Sequence, residues 1–284
     1  MRKLMREISV GAASTPKKPQ LSEQEREERA AKQALRRKVL EFWSKGAHGY
    51  SRHSLTHHRS IILNGCSLFD DDGEALASEL TPAMTNLKLL DLSDNKFGDR
   101  TLVAFAEALR QGAAPLLSQL QLAHNAIGDA GMEAFSSALG GRRRCVRGGL
   151  EDWTVGVLPR LERLDLSYNA IGPAGAGHLA KAAAVEVEEK DEDGRPMSRK
   201  VTLQHLTCLV LSGNPIGEEG LVALATVARD AQVMPRLTEL YIRNIGSTTA
   251  TENGLAALSQ IMLPMCVSKA LHNPASCIAY ILSS

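Results

Sequence analysis

Four histidines, His48, His53, His57 and His58, lie within eleven residues, and a metal ion is the first chemistry such a group suggests. A metal site needs ligands at fixed spacing, backed by cysteines or carboxylates. These four sit among Gly and Ser residues with neither, so a metal centre is not expected. Asp70-Asp71-Asp72-Gly73 has the carboxylates of a calcium loop but lacks the alternating ligand positions and the closing glutamate. At the start of a helix the same carboxylates favour the positive end of its dipole. No Walker loop, dinucleotide fingerprint or G-x-S-x-G elbow occurs. Of the five cysteines (Cys66, Cys145, Cys208, Cys266, Cys277), Cys208 falls where a strand side chain should face outward, with no histidine placed to partner it. The sequence therefore points to a protein that is not an enzyme and that needs no cofactor.

What positions these residues is a repeat. Ile61-Ile62-Leu63-Asn64-Gly65-Cys66, Leu90-Asp91-Leu92-Ser93-Asp94-Asn95, Leu120-Gln121-Leu122-Ala123-His124-Asn125, Leu164-Asp165-Leu166-Ser167-Tyr168-Asn169 and Leu209-Val210-Leu211-Ser212-Gly213-Asn214 share one frame. A sixth copy, Leu240-Tyr241-Ile242, carries Ile245 in the Asn position. Two positions beyond each Asn or Cys comes an apolar residue: Leu68, Phe97, Ile127, Ile171 or Ile216. Glycine follows in four copies (Gly98, Gly128, Gly172, Gly217). Apolar residues then recur at helical spacing, as in Leu102, Phe105, Ala106, Leu109 and in Leu221, Leu224, Ala225, Ala228.

This pattern resembles the leucine-rich repeat family, in its long, ribonuclease-inhibitor-like form: L-x-x-L-x-L-x-x-N/C-x-I/L-G, then G-x-x-x-L. It runs over roughly residues 58–263. The resemblance implies an α/β, right-handed solenoid: a parallel β-sheet on the concave face, α-helices on the convex face. The physics agrees. Two inward apolar residues per strand leave each unit with a face it cannot bury alone, so the units must stack. The Asn amide can serve backbone groups that a buried turn would orphan.

Anchor spacings of 29, 30, 44, 45 and 31 residues place insertions near 140–159 and 185–201. The first holds Arg142, Arg143, Arg144, Arg147 and Trp153; the second holds Glu186, Glu188, Glu189, Asp191, Glu192 and Asp193. They leave the same edge of neighbouring repeats and are expected to pair with each other or stay irregular, with a dedicated partner site as the alternative.

Residues 1–20 read as a flexible basic tail, and 21–57 as an N-terminal helix and capping segment. The solenoid occupies 58–284, with about six repeats and a C-terminal cap over 264–284. Ser22 and Glu25 form a capping box, Phe42 and Trp43 would cover the first repeat, and Arg29, Lys32, Arg36 and Arg37 would form a basic arm. Residues 1–60 hold 14 Lys and Arg against 6 Asp and Glu, the remainder 19 against 26, so charges of +8 and −7 hide inside the net +1. An apolar run of 18 residues and a secretory h-region are both missing, and the cysteines are odd in number and scattered. A cytoplasmic protein without a membrane partner is expected.

In the repeat frame Asp91, Asp94, Gln119, Gln121, His124, Arg163, Asp165, Tyr168, Tyr241 and Arg243 flank the inward leucines and line the concave face. Tyr and Arg are the usual anchor types of protein interfaces. The leading expectation is a non-enzymatic scaffold with protein partners, a structural subunit of a large intracellular assembly such as a ciliary or flagellar axoneme or another cytoskeletal complex. The alternative is a GTPase regulator resembling the Ran GTPase-activating proteins. Nucleic acid is not an expected partner, because no aromatic residues interleave the basic ones.

Overall fold

The computed structural model describes residues 57–246, except 141, 148–149, 156, 191–195, 201 and 229–232. The basic tail, the capping helix with Arg29, Lys32, Arg36, Arg37, Phe42 and Trp43, and the expected C-terminal cap lie outside the described residues.

Each repeat contributes a three-residue strand and, except for the last, a helix of ten to twelve residues. In chain order these are β1 (Ser60–Ile62), α1 (Asp70–Glu79), β2 (Leu89–Asp91), α2 (Asp99–Arg110), β3 (Gln119–Gln121) and α3 (Asp129–Leu139). After an insertion come β6 (Arg163–Asp165) and α4 (Pro173–Ala183), and after a second one β9 (Cys208–Val210), α5 (Gly217–Ala228) and β10 (Glu239–Tyr241). The strands form one parallel sheet in the order β1-β2-β3-β6-β9-β10, with each helix packed on the next.

The register is the one the repeat demands. Ile61, Leu90, Leu120, Leu164, Leu209 and Leu240 stand side by side across the sheet, all at 6% exposure or less. Behind them lie Leu63, Leu92, Leu122, Leu166, Leu211 and Ile242, then the buried row Leu68, Phe97, Ile127, Ile171 and Ile216. The helical stripes close the core, with Phe105, Met132, Phe135, Leu179 and Leu224 buried.

Both insertions fold on themselves. Strands β4 (Arg142–Arg147) and β5 (Leu150–Val155) pair antiparallel, as do β7 (Glu186–Lys190) and β8 (Pro196–Lys200). This corrects the expectation that the insertions remain irregular: each is its own two-stranded sheet. A short excursion must satisfy its own backbone groups, and an antiparallel return pairs them within the excursion itself.

Candidate functional site: the concave face and its upper rim

Four asparagines fix the turn that follows each strand. Asn169 shows the pattern: its Oδ1 accepts the Ile127 N–H at 3.0 Å, and its Nδ2 donates to the carbonyls of Leu122, Leu166 and Ser167 at 2.9, 3.0 and 3.2 Å. Asn95, Asn125 and Asn214 do the same for Leu68, Phe97 and Ile171. At the sixth copy Ile245 has no amide to offer, and the Ile216 N–H turns back to the Asn214 carbonyl at 2.9 Å.

A second ladder, made of aspartates at the first helical position, was not read from the sequence. Asp70 Oδ1 accepts from the N–H groups of Gly98 and Thr101 and from Thr101 Oγ1; Asp99 Oδ1 accepts from Gly128 N–H; Asp129 Oδ1 accepts from Gly172 and Gly175 N–H. Each carboxylate thus caps the helix of the following repeat, where unpaired N–H groups and the dipole favour an anion. The acidic start of α1, read as favouring its own dipole, has this additional partner. Pro173 takes the next aspartate's place, and there Gly217 adopts φ +66° and donates its N–H to the Ile245 carbonyl instead.

These turns hold one residue per repeat in the left-handed region at the upper rim of the sheet: Gly65, Asp94, His124, Tyr168, Gly213 and Asn244, with φ between 51° and 75°. Gly, Asp, Asn and His tolerate that conformation, whereas a bulky aromatic residue does not favour it. Tyr168 is therefore the misfit of the row. Its ring is held on both faces. His124 stacks on one at a centroid distance of 4.2 Å and 11° between planes. Gly213 lies under the other, where an added Cβ would come 2.6 Å from Tyr168 Cδ1. Even so, Tyr168 remains 49% exposed.

Below the rim the concave side chains form two rows. The first runs Ser60, Leu89, Gln119, Arg163, Cys208, Glu239; the second runs Ile62, Asp91, Gln121, Asp165, Val210, Tyr241. The expected site residues Asp91, Gln119, Gln121, Arg163, Asp165 and Tyr241 occupy neighbouring places in these rows, half-buried, while Asp94 and His124 join Tyr168, exposed, on the rim. Arg243 lies beyond β10, half-buried, its N–H bonded to Ser212 Oγ at 3.1 Å. Asp91 and Asp165 also have local work: Asp91 accepts the Ser93 N–H, and Asp165 accepts the N–H and hydroxyl of Ser167.

Cys208 corrects one expectation. It does sit in a concave row, but it is only 4% exposed. A small residue between the longer Arg163 and Glu239 on adjacent strands is covered by both. Burial, helped by a hydrogen bond to the Glu239 carboxylate, pushes its thiol up to about 12 against the pull of Arg163. At neutral pH it is an inert thiol. Among the described residues no group of His, Cys, Asp and Glu is placed to hold a metal ion, and no helix is long and apolar enough to cross a membrane.

The Leucine Rich repeat family model matches the chain at residues 83–106, 114–136, 158–180 and 202–225. The chain carries leucine-rich repeats. With the six-stranded parallel sheet and its packed helices, they make an α/β leucine-rich-repeat solenoid. No curated protein matches the chain. Among solved structures, the leiomodin-1 actin-binding site 2 is 12% identical with a TM-score of 0.39, the match covering 78% of this chain and 89% of that one. An internalin (inlF) from Listeria monocytogenes is 16% identical with a TM-score of 0.28, covering 66% and 48%. A TDR receptor is 15% identical with a TM-score of 0.25, covering 60% and 23%.

Proposed function

We propose that this repeat protein is a non-enzymatic scaffold that holds a protein partner on its concave face, centred on Arg163, Asp165, Tyr168 and Tyr241, within a large cytoplasmic assembly of the cytoskeleton or cilium. We assign its repeats to the ribonuclease-inhibitor-like form on their period of about 30 residues and their full helices. The observation that carries the functional reading is Tyr168. An aromatic side chain in an unfavourable backbone conformation, clamped on both ring faces and still half exposed, weakens the fold locally and favours contact with something outside it. A rigid, half-exposed tyrosine loses little entropy on binding and is a preferred interface anchor. The assembly context rests on the basic character of residues 1–60 and on the scattered cysteines.

The test is affinity capture from cell extract with the tagged full chain and with the Arg163→Ala/Tyr168→Ala double variant. The wild type should retain cytoskeletal or axonemal proteins, and the variant, folded by circular dichroism, should lose them, as a deficit of at least about 2 kcal/mol at two anchors requires. Equal recovery by both proteins would place the interface elsewhere.

A further inference from the structure

The rim and the second concave row, between β2 and β9, have a one-sided charge. Across these four repeats they present Asp91, Gln121, Asp165 and Val210, then Asp94, His124, Tyr168 and Gly213: three carboxylates and no Lys or Arg. The nearby Lys96 is turned away, with its ammonium 4.7 Å from the centre of the Phe69 ring in the preceding repeat. Arg163, one row down, shares the surroundings of the Cys208 thiol with Glu239 and Asp165. In the middle of the acidic face stands the His124–Tyr168 stack. Because Tyr168 covers one face of the imidazole, the other looks along the row toward the repeat of Asp94, and His124 and Asp94 are both exposed.

We propose that this sheet face receives a basic segment of a partner protein, with one of its arginines laid against the open face of His124, on the side of Asp94, the stacked Tyr168 backing the imidazole from behind. A guanidinium is planar, stacks on aromatic faces and forks onto carboxylates, which this juxtaposition of ring and carboxylate matches. Asp165 and Asp91 attract the flanking cations of the same segment. The proposal rests on the reading of the concave face as the partner site and adds the chemistry of the partner.

Fluorescence anisotropy with the full chain tests it, using labelled (Arg-Gly-Ser)4 and (Glu-Gly-Ser)4 peptides at near-physiological salt. The arginine peptide should bind and the glutamate peptide should not. Asp94→Asn/Asp165→Asn and Tyr168→Asn should each weaken binding about tenfold or more, a hot-spot loss, without a lower unfolding midpoint for Tyr168→Asn, since Asn accepts the left-handed conformation. Unchanged affinity in these variants, or equal binding of the glutamate peptide, overturns the proposal. So does binding that emerges only when Arg2, Lys3, Arg6, Lys17 and Lys18 are changed to Ser, because the occupant is then the chain's own basic tail. If the arginine peptide fails while Arg163→Ala/Tyr168→Ala still loses the natural partner, the concave site stands and only this chemistry falls. If neither variant nor peptide matters, both readings fall.

Discussion

Replacing Asn169 with alanine removes four hydrogen bonds at the centre of the solenoid. The Ile127 N–H loses its acceptor, and the carbonyls of Leu122, Leu166 and Ser167 lose a donor. Asn169 is 8% exposed and Ile127 0%, so water does not readily replace the amide. An orphaned buried N–H costs about 1–3 kcal/mol, and carbonyls with a second lone pair cost less each. The expected loss is about 3 kcal/mol, a large part of the 5–15 kcal/mol typical of a whole domain. Equilibrium unfolding in urea, followed by far-ultraviolet circular dichroism, measures it. The midpoint should fall with the slope preserved. Asn125, half-buried with the same kind of bonds, should cost less when changed to alanine, about 1–2 kcal/mol. If Asn169→Ala leaves the urea midpoint unmoved, the amide ladder does not hold the turns and the argument from buried backbone groups fails.

Two glycines of α4 should respond oppositely to alanine. At Gly175 the new Cβ would stand 2.5 Å from Asp129 Oδ1 and 2.9 Å from Ile171 Cγ2, displacing the carboxylate that caps the helix, so thermal unfolding should report a loss of about 2 kcal/mol. At Gly177 nothing lies within 4 Å, and the same change should stabilise the helix by about 0.5–1 kcal/mol. The Cys208 thiol, raised from 9.0 to about 12, keeps a proton in the folded protein that the unfolded chain gives up near pH 9. Its contribution is whole below pH 9 and is lost as pH climbs through 12, and Cys208→Ser should flatten that decline in urea titrations. In the folded protein Cys208 should also resist alkylation at pH 8, reacting only on unfolding.

The sheet, its register and the helical stripes were legible because they depend on apolar periodicity, which each repeat restates. Asn95, Asn125, Asn169 and Asn214 were legible as backbone partners because no other role suits a polar residue amid so many leucines. The aspartate ladder was not. Asp99 and Asp129 are ordinary first-turn acids within their own helices, and only the stacking of units reveals that their partners belong to the next one. The signal was present in the spacing, since Gly128 and Gly172 follow those acids at nearly one repeat period, or one period plus the insertion. The hairpins escaped because Arg142–Arg147 and Glu186–Lys190 are mostly charged and none of the four strands alternates apolar and polar residues regularly, the pattern from which strands are read. The burial of Cys208 depends on the length of its neighbours across the sheet, Arg163 and Glu239, which are 45 residues before it and 31 after it in the chain. For the rim, the sequence supplied the residues His124 and Tyr168, but the stack between them and the left-handed backbone beneath Tyr168 follow only from the turn geometry.

The early end of the aspartate ladder has a consequence for how the molecule comes apart. The first three junctions between repeats are each spanned by an amide and a carboxylate: Asn95 with Asp70, Asn125 with Asp99, and Asn169 with Asp129. The fourth keeps Asn214 but has Pro173 in place of the acid, and at the fifth Ile245 stands where the amide would be while Glu218 holds the acid position. In a linear array of units, nearest-neighbour coupling sets the order of opening. Among the described repeats the amide-and-carboxylate pair is complete at the first three junctions and incomplete at the one between β6 and β9, so that junction is expected to open before the doubly bridged one at Asn169 and Asp129. The His124–Tyr168 stack straddles that doubly bridged junction and adds a third tie between the same two repeats.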